Sequence, residues 1–225
     1  MAAADTAISV AVQDYAKAIY SLHGRSEEPV STSALAERLG VSPASTSAMV
    51  KRLESLGLVK REPYRGVVLS AAGARVALEV IRHHRLLELY LAEALGMSWD
   101  RVHEEAEVLE HAISPELSAL IAEKLGNPTH DPHGDPIPTL DGEIDESSSV
   151  ALGDLQPGDG GVFVRVSDSD SEMLRYLSER GIAPGDSLEV LERQPFDGPL
   201  LVRFGSGDHA LGGDLVRMMR VKQSG

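Results

Sequence analysis

The chain has 225 residues, 42% of them hydrophobic, enough for one large domain or two to three small ones. Aromatic residues make up only 4% and cysteine is absent, so the cores are expected to be aliphatic, without disulfides or thiolate ligands. No run approaches the roughly 18–20 apolar residues of a membrane span, and Met1 to Asp5 lacks the basic start and apolar core of a secretory signal, so a cytoplasmic protein with no membrane partner is expected.

A net charge of −14 ordinarily argues against nucleic acid, because neutralising phosphates needs Lys and Arg. The distribution reverses that reading. Residues 1–76 carry nine basic and seven acidic side chains, a net of +2, while 77–225 carry twelve and twenty-eight, a net of −16. The asymmetry points to a front end that faces nucleic acid and a body with another use for its carboxylates.

In chain order, Val12, Ala16, Ile19 and Tyr20 repeat at helical spacing. After a loop containing Glu27, Glu28 and Pro29, Ser31-Thr32-Ser33 caps a helix over Ala34 to Leu39 that stops at Gly40. Ser42 and Pro43 then open a second helix through Leu56, ended by Gly57. Two short helices about a tight Gly turn, the second opening on small hydroxyl residues, form a helix-turn-helix pattern. Ser42, Pro43, Ala44, Ser45, Thr46 and Ser47 allow close approach to a DNA groove, with Lys51 and Arg52 behind them. Leu58 to Ser70 reads as strand, basic turn, strand. This is the wing of a winged helix, with Lys60, Arg61 and Arg65 available for phosphates. The competing reading, a helical pair packing on another chain, does not call for a basic hairpin.

From Ala71 a long amphipathic helix runs to Gly96, and Ser98-Trp99-Asp100 opens another. Within it, Glu107 stands four residues after His103, three before Glu110 and four before His111, which places all four along one side of the helix. His84 and Glu88 repeat the four-residue spacing on the preceding helix. Imidazoles and carboxylates so arranged can surround a divalent metal; the alternative is a solvated acidic face. Ser114 and Pro115 start a further helix that ends at Gly126, and these aliphatic faces suggest a dimerisation layer. Residues 127–149, rich in Pro, Gly, Asp and Ser, read as a linker or extended arm, with His130 and His133 as solvated loop histidines. Beyond Val150, strands are expected over 161–166, 187–191, 200–204, 208–211 and 215–218, with one short helix from Ser171, as in an SH3-like barrel. The acidic run Asp168-Ser-Asp170-Ser-Glu172 caps that helix and also offers oxygen ligands.

Four stretches together resemble the iron- and manganese-responsive repressors of the diphtheria toxin repressor (DtxR/MntR) family. They are Gln13 to Tyr20, Arg82-His-His-Arg-Leu-Leu-Glu88, Val102 to His111, and Gly134-Asp-Pro-Ile-Pro138. The resemblance implies a mainly α chain with a C-terminal all-β domain. A winged helix-turn-helix would occupy residues 1–76, a helical metal-binding and dimerisation domain 77–148, and an SH3-like domain related to FeoA 149–225. It further implies a homodimeric repressor of operator DNA, neither an enzyme nor a binder of small-molecule substrates. By the same resemblance, Asp14, Glu107, Glu110 and His111 form a primary metal site. His84, Glu88 and His103 form an ancillary one, with Asp170 near a carboxylate position of the third domain and Met173 at its neighbour.

Iron-responsive members carry Met on the first helix and Cys on the central one, where this chain has Asp14 and Glu107. Exchanging soft sulfur for hard carboxylate favours Mn²⁺, with Fe²⁺, Co²⁺ or Zn²⁺ as substitutes. Short manganese-responsive members place a Glu where this chain has Lys17, so separate primary and ancillary ions are expected rather than a closely bridged pair. The rival readings are an iron-responsive regulator of the same family and a metal-dependent hydrolase. The latter lacks its HExxH, because position 107 is Glu.

Overall fold

The computed structural model describes residues 8–26, 28–62, 65–145, 148–196 and 198–224. It divides into two compact units, one comprising the chain up to His83 with Pro138–Glu143, the other His84–Ile137 with Ile144 onward.

The first unit begins with α1 (Val10–Ser26), α2 (Thr32–Leu39) and α3 (Pro43–Ser55). Ser31 and Ser42 cap α2 and α3, each hydroxyl accepting a backbone N–H three residues on, a contribution of about 1 kcal/mol per cap. Gly40 turns the chain between them at φ 63°, a conformation that costs a side-chain-bearing residue strain. Val12, Tyr15 and Ile19 of α1 pack against Leu35 of α2 and Val50 and Leu53 of α3. The wing is an antiparallel hairpin of β1 (Val59–Glu62) and β2 (Gly66–Leu69), with Val59 opposite Leu69. Its expected turn at Pro63 and Tyr64 lies outside the described residues. The long helix α4 (Ala71–Leu95) follows and ends before Gly96, at φ 69°.

The second unit takes the C-terminal part of α4, α5 (Val102–Leu109) and α6 (Pro115–Lys124). Leu86, Leu87, Leu89, Ala106, Ile121 and Ile137 make their core. It also holds a six-stranded antiparallel sheet in the order β3-β8-β4-β5-β6-β7. The strands are β3 (Val150–Ala151), β4 (Gly160–Arg165), β5 (Ser187–Arg193), β6 (Leu200–Phe204), β7 (Gly207–Leu211) and β8 (Arg220–Gln223). Two short helices, α7 (Ser171–Ser178) and α8 (Gly213–Met218), interrupt the strands. Phe163, Val190, Val202, Leu174 and Leu177 lie in the sheet's core, and Trp99 packs on it from the loop between α4 and α5. The mainly α front with an SH3-like β-domain at the end is therefore as the sequence implies.

Three expectations need correction. The strand read at 215–218 is α8, because Leu215 and Met219, four apart, are both buried at helical rather than alternating spacing. Helix α5 stops at Leu109, so Glu110 and His111 occupy the turn after it, although Glu110 retains right-handed helical angles. Residues 127–137 are no free arm. Asp131 and His133 are buried, Ile137 joins the helical core, and Ile137 N–H donates to Thr129 O. Arg85 binds Pro136 O and Asp135, fixing this loop to α4.

Gly134 sets how tightly the loop closes. At φ 85° it leaves room for Val164 O only 1.9 Å from where a Cβ would sit. Gly134→Ala is therefore expected to destabilise the protein by roughly 1–3 kcal/mol, measured as a lowered urea midpoint; an unchanged midpoint refutes that account.

Candidate metal centre and nucleic-acid interface

Glu88 on α4 is fully buried, and a bare carboxylate there would be costly. Its Oε1 lies 3.0 Å from His84 Nε2 and 3.3 Å from His103 Nδ1, and its Oε2 lies 3.7 Å from His133 Nδ1. Burial raises its pKa, but the three imidazoles outweigh that and hold it well below the usual carboxylate range. Asp168, in the loop between β4 and α7, brings a second carboxylate to 3.0 Å from His103 Nδ1. That bond and Glu88 push His103 up to about 10 against the opposing effect of burial. Burial likewise opposes the charged form of His133, yet Glu88 and Asp131 raise it to about 9. His103 therefore holds its proton through neutral pH, so a divalent cation that takes this imidazole as a ligand must displace that proton.

His84, Glu88, His103 and Asp168 each offer a ligand atom, and all four atoms lie within 4.8 Å of one another. Two imidazoles and two carboxylates at that separation fit a divalent ion that takes nitrogen and oxygen. His84 also reaches beyond this group. Its Nδ1 lies 2.6 Å from Glu110 Oε2 and 3.9 Å from Glu107 Oε1. Both ring nitrogens of His84 thus face carboxylate oxygens, which only accept: Nδ1 faces Glu110 and Nε2 faces Glu88, so Nε2 must give up a proton before it can ligate an ion. Glu110 Oε1 lies 3.3 Å from His111 Nε2. Glu107, about half exposed, stands 3.9 Å from both His84 Nδ1 and His103 Nε2. The expected separation of Glu107, Glu110 and His111 from His84 and His103 is thus incomplete, because His84 touches both sets. Asp14 is partly buried on α1 of the first unit.

Asp170, expected near the ancillary position, instead caps α7 by accepting the N–H groups of Glu172 and Met173 at 2.9 and 3.2 Å. Asp168, two residues earlier, supplies the carboxylate beside His103. Met173 packs against the core of the sheet. Asp131 and His133 were hidden in an Asp-Pro-His-Gly run that reads equally well as a solvated turn. Burial beside Asp135 and Glu88 raises Asp131 well above the usual carboxylate range, and its Oδ1 accepts the N–H groups of His133 and Asp135.

In the first unit, Ser42, Pro43, Ala44, Ser45, Ser47, Lys51 and Arg52 are all exposed on α3, as a groove-reading face requires. Thr46 is the exception. It is fully buried, bonded to Ser42 O and Tyr15 Oη, and so faces α1 rather than a groove. Lys60 and Arg61 are exposed on β1, while Arg65 is engaged by Glu28 and Glu62.

Residues 8–67 match the iron dependent repressor N-terminal DNA binding domain, 70–139 the iron dependent repressor metal binding and dimerisation domain, and 150–223 the FeoA domain. The iron-dependent repressor IdeR of Mycobacterium tuberculosis is 30% identical over 221 residues, covering 93% of this chain and 95% of that protein. A solved manganese-dependent transcriptional repressor in complex with manganese is 42% identical, with a TM-score of 0.88 over 95% of this chain and all of the other. The manganese regulator SloR is 29% identical, with a TM-score of 0.75 over 95% of this chain and 98% of its own.

The two carboxylates of the β4–α7 loop have separable roles. Asp168→Ala is expected to weaken Mn²⁺ binding at the His84–Glu88–His103 group. Asp170→Ala should leave it intact and cost only about 0.5–2 kcal/mol of stability through the lost helix cap. Calorimetric titration with Mn²⁺ and thermal melts of both variants check this; equal losses of metal binding would contradict the assignment.

Proposed function

From the premise that this chain belongs to the diphtheria toxin repressor family of metal-dependent transcriptional repressors, we propose that it is a Mn²⁺-activated homodimeric repressor acting on operator DNA in the cytoplasm. The observation that carries the manganese reading is the donor set. Every side chain in the group is an imidazole or a carboxylate, the chain has no cysteine, and Met173 packs against the core of the sheet. Hard oxygen and imidazole donors suit Mn²⁺, whereas sulfur would favour softer ions. The solved repressor at 42% identity is manganese-dependent, which supports the same choice.

In this proposal Asp14, Glu107, Glu110 and His111 hold a primary ion, and His84, Glu88, His103 and Asp168 hold an ancillary one. The bound ion supplies positive charge that the clustered carboxylates lack. Without it, Asp14, Glu107 and Glu110 repel each other, and the DNA-binding domain samples orientations that do not fit an operator. Neutralising that repulsion and fixing Asp14 lowers the entropic cost of binding DNA. Asp14 adjoins Tyr15, whose hydroxyl bonds to Thr46 on α3, so constraint on α1 passes directly to the recognition helix. The exposed serines at the start of α3 enter a major groove while Lys60 and Arg61 contact phosphate. A second copy of the chain has apolar surface to meet in the exposed Val108 of α5 and Leu117 and Leu120 of α6. No catalytic role is proposed, since the helix carrying His103 and Glu104 lacks the second histidine of a zinc-protease motif.

The test is binding of DNA fragments selected from the host genome, with and without Mn²⁺ and in parallel with Fe²⁺. Affinity should rise with Mn²⁺, and equal affinity in its absence would defeat the proposal. Asp14→Ala and Glu107→Ala should each remove the metal response while circular dichroism remains that of the parent. Lys60→Ala should weaken binding to all sequences alike and reduce the slope of log affinity against log salt by about 1, the signature of one lost phosphate contact.

A further inference from the structure

We infer that His133 is a positioning residue of the ancillary metal site, holding Glu88 so that it offers the ion one oxygen rather than two. The inference rests on the metal-site reading above and adds to it a residue from outside the four ligands.

Glu88 divides its carboxylate between two sides. Oε1 faces His84 Nε2 and His103 Nδ1, at 3.0 and 3.3 Å, whereas Oε2 faces His133 Nδ1 at 3.7 Å. Both Oε2 and His133 Nδ1 are buried, and neither has a hydrogen-bond partner among the described residues. What aims the imidazole is fixed from three directions. Its Nε2 lies 2.8 Å from Trp99 O, and since a carbonyl only accepts, Nε2 carries a proton and Nδ1 points at Glu88. The ring stacks on Trp99, with centroids 5.7 Å apart and planes 24° from parallel. The backbone on either side is held as well: Asp131 Oδ1 accepts His133 N–H, and Val166 N–H donates to His133 O. A fully buried ring so constrained keeps Nδ1 beside Oε2, so turning that oxygen toward an ion would take it away from the imidazole it faces.

Carboxylate denticity is a means of choosing among ions. Large cations of high coordination number, such as Ca²⁺, accept bidentate carboxylates, while smaller six-coordinate ions are served by one oxygen per ligand. His133 thus strengthens the ancillary site for Mn²⁺ and weakens it for Ca²⁺, acting through Glu88. Outer groups of this kind typically change metal affinity about 10–100-fold when lost.

Two substitutions separate positioning from packing. His133→Gln places an amide where Nε2 lies, keeping the bond to Trp99 O while vacating the Nδ1 position. His133→Asn does the reverse, placing its amide near Nδ1 and giving up Trp99. Binding isotherms on the full chain, read from the free Mn²⁺ electron paramagnetic resonance signal, should resolve two classes of site in the parent. His133→Gln should weaken the ancillary class about 10–100-fold and make Ca²⁺ a better competitor there, leaving the primary class unchanged. His133→Asn should stay close to the parent in both respects. An ancillary class unaffected by His133→Gln, or equal losses in both variants, overturns the inference while the two-site reading stands. A parent that binds Mn²⁺ in one class only overturns the two-site reading, and the inference with it. Far-ultraviolet circular dichroism confirms that each variant is folded, since Trp99 stacks on the substituted ring and its fluorescence would change in any case.

Discussion

The second unit depends on one buried carboxylate. Glu88 sits in the middle of α4 with no access to solvent, where an uncompensated charge would cost several kcal/mol. Its compensation comes from three imidazoles carried by three separate segments: His84 on its own helix, His103 on α5 and His133 in the loop before the sheet. Asp168 then reaches His103 from the β4–α7 loop. The segments that meet at Glu88 are consequently held by charge as well as by the aliphatic cores. Losing any one of them would leave a charged group without its partner.

That arrangement also explains why the SH3-like domain stays with the helices instead of hanging from a linker. Trp99 packs into the core of the sheet, Arg175 pairs with Asp100, and Gly134 lets the 127–137 loop approach the backbone of β4. A loop rich in Pro and Gly is compatible with a mobile connector or with a tightly folded turn. Here Arg85 and the two N–H groups accepted by Asp131 decide for the turn.

At the DNA-facing end, the side chains divide by burial within a single helical turn. Ser45 and Ser47 are exposed, whereas Thr46 is turned inward against Tyr15. The helix that offers its surface to a groove is therefore bonded to α1, the helix that carries Asp14. This gives the proposed metal response a short physical route, one residue from ligand to recognition helix.

Much of the fold was legible in the sequence because it is set locally. Ser31, Ser42 and Ser114 cap their helices as read, Gly40, Gly57 and Gly96 end theirs, and the β1–β2 hairpin pairs where the alternating residues place it. The misreading of 215–218 has a local cause too, since four residues cannot distinguish a period of two from one of 3.6. The metal group was only partly legible. Spacing along one helix puts His84 beside Glu88, whereas His103 joins them in the sequence reading only through the family resemblance. The choice between Asp168 and Asp170 depends on which carboxylate the N-terminus of α7 takes as its cap, and both lie in the same acidic run. His133 and Asp131 gave no sign at all, because burial is a property of what packs around a residue. The sequence determined the kinds of donor available, and only the tertiary structure decided which of them meet around the buried carboxylate, because those contacts join residues up to 65 positions apart, as His103 and Asp168 are.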